Sequence, residues 1–243
     1  MIAFIITIHP EGKKCKRLIR QLEHLGLEIV VYFGVIPSDN YENLIEKSTF
    51  LKKYGRLPSK GEVGCALSHM AIYEEIISRK LTSALVFEDD AVLLPSFASI
   101  LQEYEYIFQK LDLVSLYTEG AFLKTGANDL VRPAHFMCDN TVAYWITKKG
   151  AKLLLSTRNQ AQKICGLADW PAPPQKLNLH VLCKDIVMHD TSSSSIETSR
   201  NTKKSTLSIY SPYKYRRYLM FWMHYFTTFF CGLYRSQRPG LIE

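Results

Sequence analysis

The stretch Ala84-Leu-Val-Phe-Glu-Asp-Asp-Ala-Val-Leu-Leu94 contains three consecutive acids, Glu88, Asp89 and Asp90, between two apolar runs. The first run predicts a buried strand. Three carboxylates at its end repel one another and are costly beside a core unless a cation sits there. Alternation along a strand would direct Glu88 and Asp90 to one side and Asp89 to the other. The triplet therefore predicts either a site for a hard divalent cation, Mn²⁺ or Mg²⁺, or a solvated turn.

The residues around this stretch predict an open α/β sheet. An apolar strand over 2–8, a helix with Leu18 and Leu22 on its inner face and a β-branched strand over 28–33 make a βαβ unit. Ser59 and Glu62 have the spacing of a capping box and predict the start of a second helix. The fold predicted is a mainly parallel sheet flanked by helices, and its carboxyl edge, where the acids lie, is where such sheets bind ligands.

Charge and cysteine content narrow the class of protein. The net charge of +7 lies in the last 44 residues, since residues 1–199 hold 22 basic and 22 acidic side chains. The six cysteines form no Cys-x-x-Cys pair, which argues against a zinc site or a disulfide scaffold and favours reduced thiols in a cytosolic protein. The N-terminus lacks a basic region and a cleavage site, so it is expected to be a strand and not a signal peptide.

The C-terminal segment differs in composition from the rest of the chain. We predict a catalytic domain over 1–198, a polar linker over 199–209 and a basic, aromatic helical tail over 210–243. Eleven of the 25 residues in 210–234 are aromatic. Tyr and Trp favour the membrane interface and basic residues favour anionic lipids, so residues 210–238 are expected to lie on an anionic membrane surface. The alternatives are that this segment is a helix packed on the core or that it lines a nucleic-acid groove. We expect no nucleic-acid partner.

Two motifs resemble a known family. Gly61-Glu-Val-Gly-Cys-Ala-Leu-Ser-His69, followed by Val86-Phe-Glu-Asp-Asp-Ala-Val-Leu93, resembles the family 25 glycosyltransferases, the bacterial lipooligosaccharide biosynthesis enzymes. Weaker matches at the first strand, at Tyr144–Ala151 and near His189 extend the resemblance over about 2–197. The resemblance implies a GT-A fold, a UDP-galactose or UDP-glucose donor, a divalent cation and inversion at the anomeric carbon. It also implies a lipooligosaccharide acceptor, and hence a cytoplasmic protein peripheral on the inner membrane.

Each part of that reaction has candidate residues in this chain. The metal set consists of Glu88, Asp90 and His189, although the resemblance leads us to expect Gln at the last position. Asp169, in a Pro-rich loop, is the candidate base for the acceptor hydroxyl, with Asp190 as the alternative. Donor binding is assigned to two groups of residues and to Asp89, for which the alternative role is to brace the turn. The first group, for the base and ribose, is Thr7, Ile8 and Arg17; the second, for the sugar hydroxyls, is Glu62, Ser68 and His69.

Purely structural roles for three of these residues stay open at this point. Glu62 could serve only the capping box, His69 could be a structural histidine, and Asp169 could brace its loop. Two other functions compete with glycosyl transfer. One is metal-dependent phosphoryl transfer, which calls for a Gly-rich phosphate loop or a second acid cluster that the sequence does not clearly contain. The other is a catalytically silent membrane-binding adaptor.

Overall fold

The computed structural model describes residues 1–117, 130–133, 141–168 and 176–190, and its centre is a seven-stranded sheet. The candidate base Asp169, the linker and the tail lie outside the described residues. The sheet contains β1, β2, β3, β5, β6, β7 and β8. Their bounds are Ile2–Thr7, Glu28–Phe33, Ser83–Glu88, Leu113–Ser115, Val131–Pro133, Ala143–Thr147 and Leu179–Leu182.

The strand order is β2-β1-β3-β7-β5-β8-β6. The pairings of β1 with β2 and β3, and of β5 with β8, are parallel, whereas those of β7 and β6 with their neighbours are antiparallel. Five strands therefore run in one direction and two in the other. The predicted open sheet flanked by helices is confirmed, and the two reversed strands make it mixed.

A second, two-stranded sheet pairs β4 (Ala91–Leu93) with β9 (Val187–His189) in antiparallel register. The acidic triplet therefore does not lie within a continuous strand. It spans the last residue of β3 and the turn that leads to β4, and so connects the two sheets. Regular strand geometry stops at Glu88, so Asp89 and Asp90 lie in the turn and not in the strand.

Five α-helices complete the described part of the chain. They are α1 (Lys13–Glu23), α2 (Lys47–Tyr54), α3 (Lys60–Ser78), α4 (Phe97–Phe108) and α5 (Lys148–Leu155). The capping box predicted at the start of α3 is present, with Ser59 as the N-cap and Glu62 bonded back to it. Within these described segments, no helix is both long and apolar enough to cross a bilayer.

The sheet is buried on both faces, which explains why its central strands are almost continuously apolar. Phe4 and Val86 belong to the core under α3 and α5, whereas Ile5 and Leu85 belong to the core under α1 and α4. Each fully buried side chain of this size stabilises the fold by about 1.5–3 kcal/mol relative to exposure. This two-sided core fixes the strand ends, and therefore the acids, in one position.

Gly64 brings α3 close to the segment that follows β2. A Cβ atom at this position would lie 2.5 Å from the carbonyl oxygen of Val35, closer than side-chain carbons approach. One turn later, the Ser68 hydroxyl accepts a hydrogen bond from the Val35 amide at 2.8 Å and donates to the Gly64 carbonyl at 2.7 Å. These contacts lock α3 against the sheet, with His69 directed at the end of β3.

Candidate active site

The turn after β3 is joined to residues from three other parts of the chain. The Glu88 amide donates to the Val142 carbonyl at 2.9 Å, and the Asp89 amide donates to the Ile6 carbonyl at 3.1 Å. The Asp190 amide donates to the Asp90 carbonyl, also at 2.9 Å. Backbone contacts on both sides therefore hold the three acids at the carboxyl edge of the sheet.

Glu88 faces α3. Its Oε1 accepts a hydrogen bond from the Thr141 hydroxyl and lies 3.3 Å from Nε2 of His69 and 4.0 Å from Sγ of Cys65. Burial alone would raise the pKa of the Glu88 carboxyl. The hydrogen bond and charge of His69, the Thr141 hydroxyl and the charge of His189 outweigh burial and bring this pKa below its ordinary value.

His69 is a buried link between Glu88 and the core. Its Nδ1 lies 2.7 Å from the Tyr144 hydroxyl, which donates to the Tyr73 hydroxyl at 3.2 Å. Burial, together with the neighbouring Tyr73 and Glu88, raises the pKa of Tyr144 well above its ordinary value, so this phenol stays protonated. The chain of contacts positions the His69 ring, and His69 in turn positions Glu88.

Asp89 turns toward β1. It accepts a hydrogen bond from the Thr7 hydroxyl, and Thr7 Oγ1 accepts from the His9 amide at 2.9 Å. Burial raises the pKa of Asp89 above its ordinary value; the Thr7 bond opposes this, and the charges of Asp90 and Glu88 add to it. Thr7 thus braces the turn. The half-buried Ile8 follows it directly at the same edge.

Asp90 turns toward the second sheet. Its Oδ2 lies 3.1 Å from Nε2 of His189, and its Oδ1 is buried with no hydrogen-bond partner among the described residues. An orphaned buried carboxylate oxygen is costly unless a ligand satisfies it. Carboxylate oxygen and imidazole nitrogen are both suitable ligands for Mn²⁺. Asp90 and His189 therefore fit the divalent cation that the family resemblance implies.

Two cationic side chains of α1, Lys14 and Arg17, contact Asp190. Arg17 Nη1 donates to Asp190 Oδ2 at 2.8 Å, and Lys14 Nζ lies 2.8 Å from the Asp190 carbonyl and 3.8 Å from its Oδ1. Nε and Nη2 of Arg17 are buried, and no partner for them lies within the ranges that the structure describes. Neighbouring cations stabilise the ionised form of a carboxylate, so Asp190 is placed to hold Arg17 and Lys14 in position.

Two residues predicted to meet the donor sugar make contacts within the protein. Both oxygens of Glu62 accept from Arg56, at 2.6 and 2.8 Å, and Oε2 also accepts from the Ser59 amide. Ser68 is buried and uses its hydroxyl to join α3 to the Val35 amide. The roles of Glu62 and Ser68 in donor binding stay predictions.

The three acids therefore contact three different elements: Glu88 meets α3, Asp89 meets β1 and Asp90 meets β9. Among the described residues, one set of three or more side chains brings its ligand atoms within 4.8 Å of one another: Cys65, His69 and Glu88. The sequence analysis missed Cys65, Lys14, Thr141 and Tyr144. The four-residue spacing of Cys65 and His69 on α3 is the one local signal that could have pointed to this group.

Comparison with known proteins identifies the family of the chain. The model of glycosyltransferase family 25 (LPS biosynthesis protein) matches residues 1–166, which include the acidic triplet, α3 and β7. A Haemophilus influenzae protein named "Putative glycosyltransferase" is 29% identical over 168 residues, covering 63% of this chain and 56% of that protein.

Two animal relatives match shorter stretches. Procollagen galactosyltransferase 1 of Danio rerio is 34% identical over 110 residues, covering 42% of this chain and 18% of its own. Inactive glycosyltransferase 25 family member 3 of Mus musculus is 33% identical over 146 residues, covering 56% of this chain and 22% of its own. The match thus spans 56% of the Haemophilus influenzae protein and less than a quarter of each animal protein. The family model, however, matches more than half of this chain, and the chain belongs to glycosyltransferase family 25.

Proposed function

We propose that this chain is an inverting glycosyltransferase that moves a hexose, galactose or glucose, from a UDP-sugar to a lipooligosaccharide acceptor. Family membership supports glycosyl transfer, and the family description supports a lipopolysaccharide-type acceptor. The Danio rerio relative is named as a galactosyltransferase, which supports galactose as the first sugar to test.

The observation that carries the proposal concerns Asp90, beside His189 at the carboxyl edge of the sheet. Its buried Oδ1 has no hydrogen-bond partner among the residues that the structure describes. Asp90 and His189 are the residues proposed to hold Mn²⁺ or Mg²⁺. When bound, such an ion neutralises the negative charge that develops on a leaving diphosphate. Glu88 is held against α3 by His69 and Thr141, and we propose that it supports the site by fixing the start of the turn that carries Asp90.

Cations and braced backbone at the same edge are suited to the donor nucleotide. Arg17 has two guanidinium nitrogens without a partner in the described part of the chain, and Asp190 fixes its third. We propose that Arg17 and Lys14 attract the anionic donor, and that Thr7 and Ile8 shape the pocket beside it. Asp89 anchors Thr7, so its contribution to donor binding is proposed to be positional.

The proposed base for the acceptor hydroxyl is Asp169. The Pro-rich segment that contains it follows Ala168 in the sequence, and the Ala168 side chain packs in the core under α3. Asp190 is the weaker candidate because its carboxylate already accepts a hydrogen bond from Arg17 and lies 3.8 Å from the ammonium group of Lys14. A base must accept the hydroxyl proton in the transition state.

We further propose that residues 210–238 hold the protein on the cytoplasmic face of the inner membrane. The support is compositional, since the positive charge and the interfacial aromatic residues concentrate in this segment. A lipid-linked acceptor lies at that surface. Peripheral association would keep the active site close to the acceptor.

One experiment tests the central proposal. Purified full-length protein is incubated with a panel of nucleotide-sugars, with Mn²⁺, with Mg²⁺ or with excess chelator, and the release of nucleoside diphosphate is measured. We expect release from UDP-galactose or UDP-glucose that depends on the cation. Equal release with and without chelator would contradict the cation's role, and turnover of no sugar nucleotide would contradict the transferase.

A catalytically silent protein is the second candidate, because one relative from Mus musculus is named as inactive. A silent protein could retain the fold and bind UDP without releasing product. Isothermal titration with UDP, run beside the turnover assay, separates the two cases: binding with no turnover of any sugar nucleotide favours the silent protein.

A further inference from the structure

Cys65, His69 and Glu88 bring a sulfur, a nitrogen and an oxygen ligand to one point. Cys65 and His69 lie four residues apart on α3, so they share one face of the helix, and Glu88 meets them from the end of β3. Their ligand atoms all lie within 4.8 Å of one another. Cys65 is partly exposed and His69 is buried, so the group lies at the boundary between core and surface.

The distances suit a tetrahedral zinc ion. Zinc bonds of about 2.0 Å to nitrogen and oxygen and about 2.3 Å to sulfur place tetrahedral ligand atoms roughly 3.3–3.5 Å apart. The His69 Nε2 to Glu88 Oε1 distance is 3.3 Å, and the Cys65 Sγ to Glu88 Oε1 distance is 4.0 Å. A shift of the Cys65 sulfur by about 0.5 Å toward Glu88 Oε1 would bring the longer distance to the tetrahedral value.

The residues around the group already orient its members. Nδ1 of His69 lies 2.7 Å from the Tyr144 hydroxyl, which leaves Nε2 to face Glu88 and Cys65. The Thr141 hydroxyl donates a hydrogen bond to Oε1 of Glu88, the same oxygen that faces His69. Metal-binding histidines characteristically use their second nitrogen in such a contact, which fixes the ring and its tautomer.

We propose that Cys65, His69 and Glu88 bind Zn²⁺, at a site separate from the hard-cation site assigned to Asp90 and His189. Thiolate sulfur favours zinc and disfavours Mg²⁺ and Mn²⁺, so the two sites select different ions. On binding, the Cys65 thiol releases its proton to solvent and its sulfur becomes a ligand. The lack of a Cys-x-x-Cys pair had argued against a zinc site. That criterion considers cysteines alone, and so it overlooks a histidine one helical turn away and a carboxylate from another element.

The test uses Co²⁺ as a spectroscopic substitute for Zn²⁺ in the full-length protein, without donor or acceptor. We expect one equivalent to give a sulfur-to-cobalt charge-transfer band and the intense visible bands of a tetrahedral site, both removed by Zn²⁺ but not by excess Mg²⁺. Cys65→Ser should weaken Co²⁺ binding at least about 100-fold, since even the loss of an outer contact costs about 10–100-fold. Cys165→Ser, a partly exposed cysteine outside the group, is the matched control.

The Asp90→Asn variant separates this proposal from the proposed function. It should keep the cobalt spectrum, because Asp90 is not in the ligand set. If the protein binds cobalt through Cys65 but transfers no sugar, the result supports the zinc site and contradicts only the proposed glycosyltransferase activity. An undiminished thiolate band in Cys65→Ser, an equal loss in Cys165→Ser, or no band in the wild-type protein overturns the zinc site.

A measurement on the wild-type protein guards against misfolding of the variant. Cys65 is alkylated with iodoacetamide in the presence and absence of Zn²⁺, and its peptide is quantified by mass spectrometry. We expect Zn²⁺ to slow modification of Cys65 at least tenfold and excess Mg²⁺ to leave the rate unchanged. Equal rates with and without Zn²⁺ overturn the proposal.

Discussion

Asp90 Oδ2 lies 3.1 Å from Nε2 of His189, although the two residues are 99 positions apart in the chain. The contact depends on the pairing of β4 with β9, in which Ala91 lies opposite His189. The same pairing places Asp190 against the Asp90 carbonyl. A two-stranded sheet outside the main one therefore assembles the proposed cation site.

Replacement of Asp90 tests that site. Asp90→Asn should lower cation-stimulated turnover on the order of 100-fold or more, because an amide supplies no negative charge for the ion. UDP binding in the presence of Mn²⁺, measured by calorimetry, should weaken with it. Asp185→Asn, in the loop just before β9, is the matched control and should keep wild-type activity. Undiminished activity in the Asp90 variant would remove this residue from the site.

The identity of the base is tested by a pair of variants. Asp169→Asn should lower kcat by orders of magnitude with little change in the KM for the donor, as expected for a group that acts in the transition state. Asp190→Asn should instead raise the donor KM, because Arg17 and Lys14 lose the carboxylate that positions them. The reverse pattern, with the loss of kcat in the Asp190 variant, would transfer the role to Asp190.

The pKa of Asp89 predicts a dependence of stability on pH in the metal-free protein. Its folded-state pKa is raised above the unfolded value of about 3.9, so the folded protein holds this proton to higher pH. Its contribution to stability is therefore lost as pH rises from the unfolded pKa through the raised folded-state pKa. Asp89→Asn should gain stability relative to the wild-type protein as pH rises above about 3.9, measured by urea unfolding with chelator.

Asp39 offers a control of opposite sign. The Lys60 hydrogen bond lowers the pKa of this exposed carboxyl, so its contribution is present above the unfolded pKa and is lost at lower pH. Asp39→Asn should therefore lose stability relative to the wild-type protein at pH 7 but not at low pH. The same trend in both variants would contradict the Asp89 prediction.

Gly150 tests the packing of α5 on the sheet independently of function. A Cβ atom at Gly150 would lie 2.1 Å from the Asp112 carbonyl oxygen, so Gly150→Ala must displace backbone. We expect a loss of about 1–3 kcal/mol or more in the free energy of unfolding. Gly166→Ala is the control, since its Cβ would meet the Tyr54 hydroxyl at 3.6 Å and should change stability by less than about 0.5 kcal/mol. Equal effects would contradict this packing.

Truncation after Ser208 tests the proposed membrane tail. Each basic residue near an anionic surface contributes on the order of 1 kcal/mol, and apolar burial adds to it. The truncated protein should no longer co-sediment with anionic vesicles, yet should still transfer sugar to a short, soluble acceptor. Neutral vesicles, which should bind the full-length protein less, are the control. Equal binding of both forms, or an unfolded truncation product, would assign the tail to the core.

Local patterns in the sequence predicted the elements that depend on near neighbours. The strand predicted over 28–33 is β2, and the capping box of Ser59 and Glu62 begins α3. Both follow from periodicity and from hydrogen bonds over three residues, which the chain order already contains. The acidic triplet was likewise placed correctly at the end of a buried strand, because an apolar run followed by charge marks the edge of a core.

Only the tertiary structure decided which side chains the three acids contact. Glu88 joins His69, Asp89 joins Thr7 and Asp90 joins His189, over separations of 19, 82 and 99 residues. These contacts depend on the order and direction of strands, which periodicity does not contain. The same is true of Glu62, whose carboxylate accepts hydrogen bonds from Arg56. Sequence determined where the chemical groups lie along the chain, and the packing of the two sheets and α3 determined their partners.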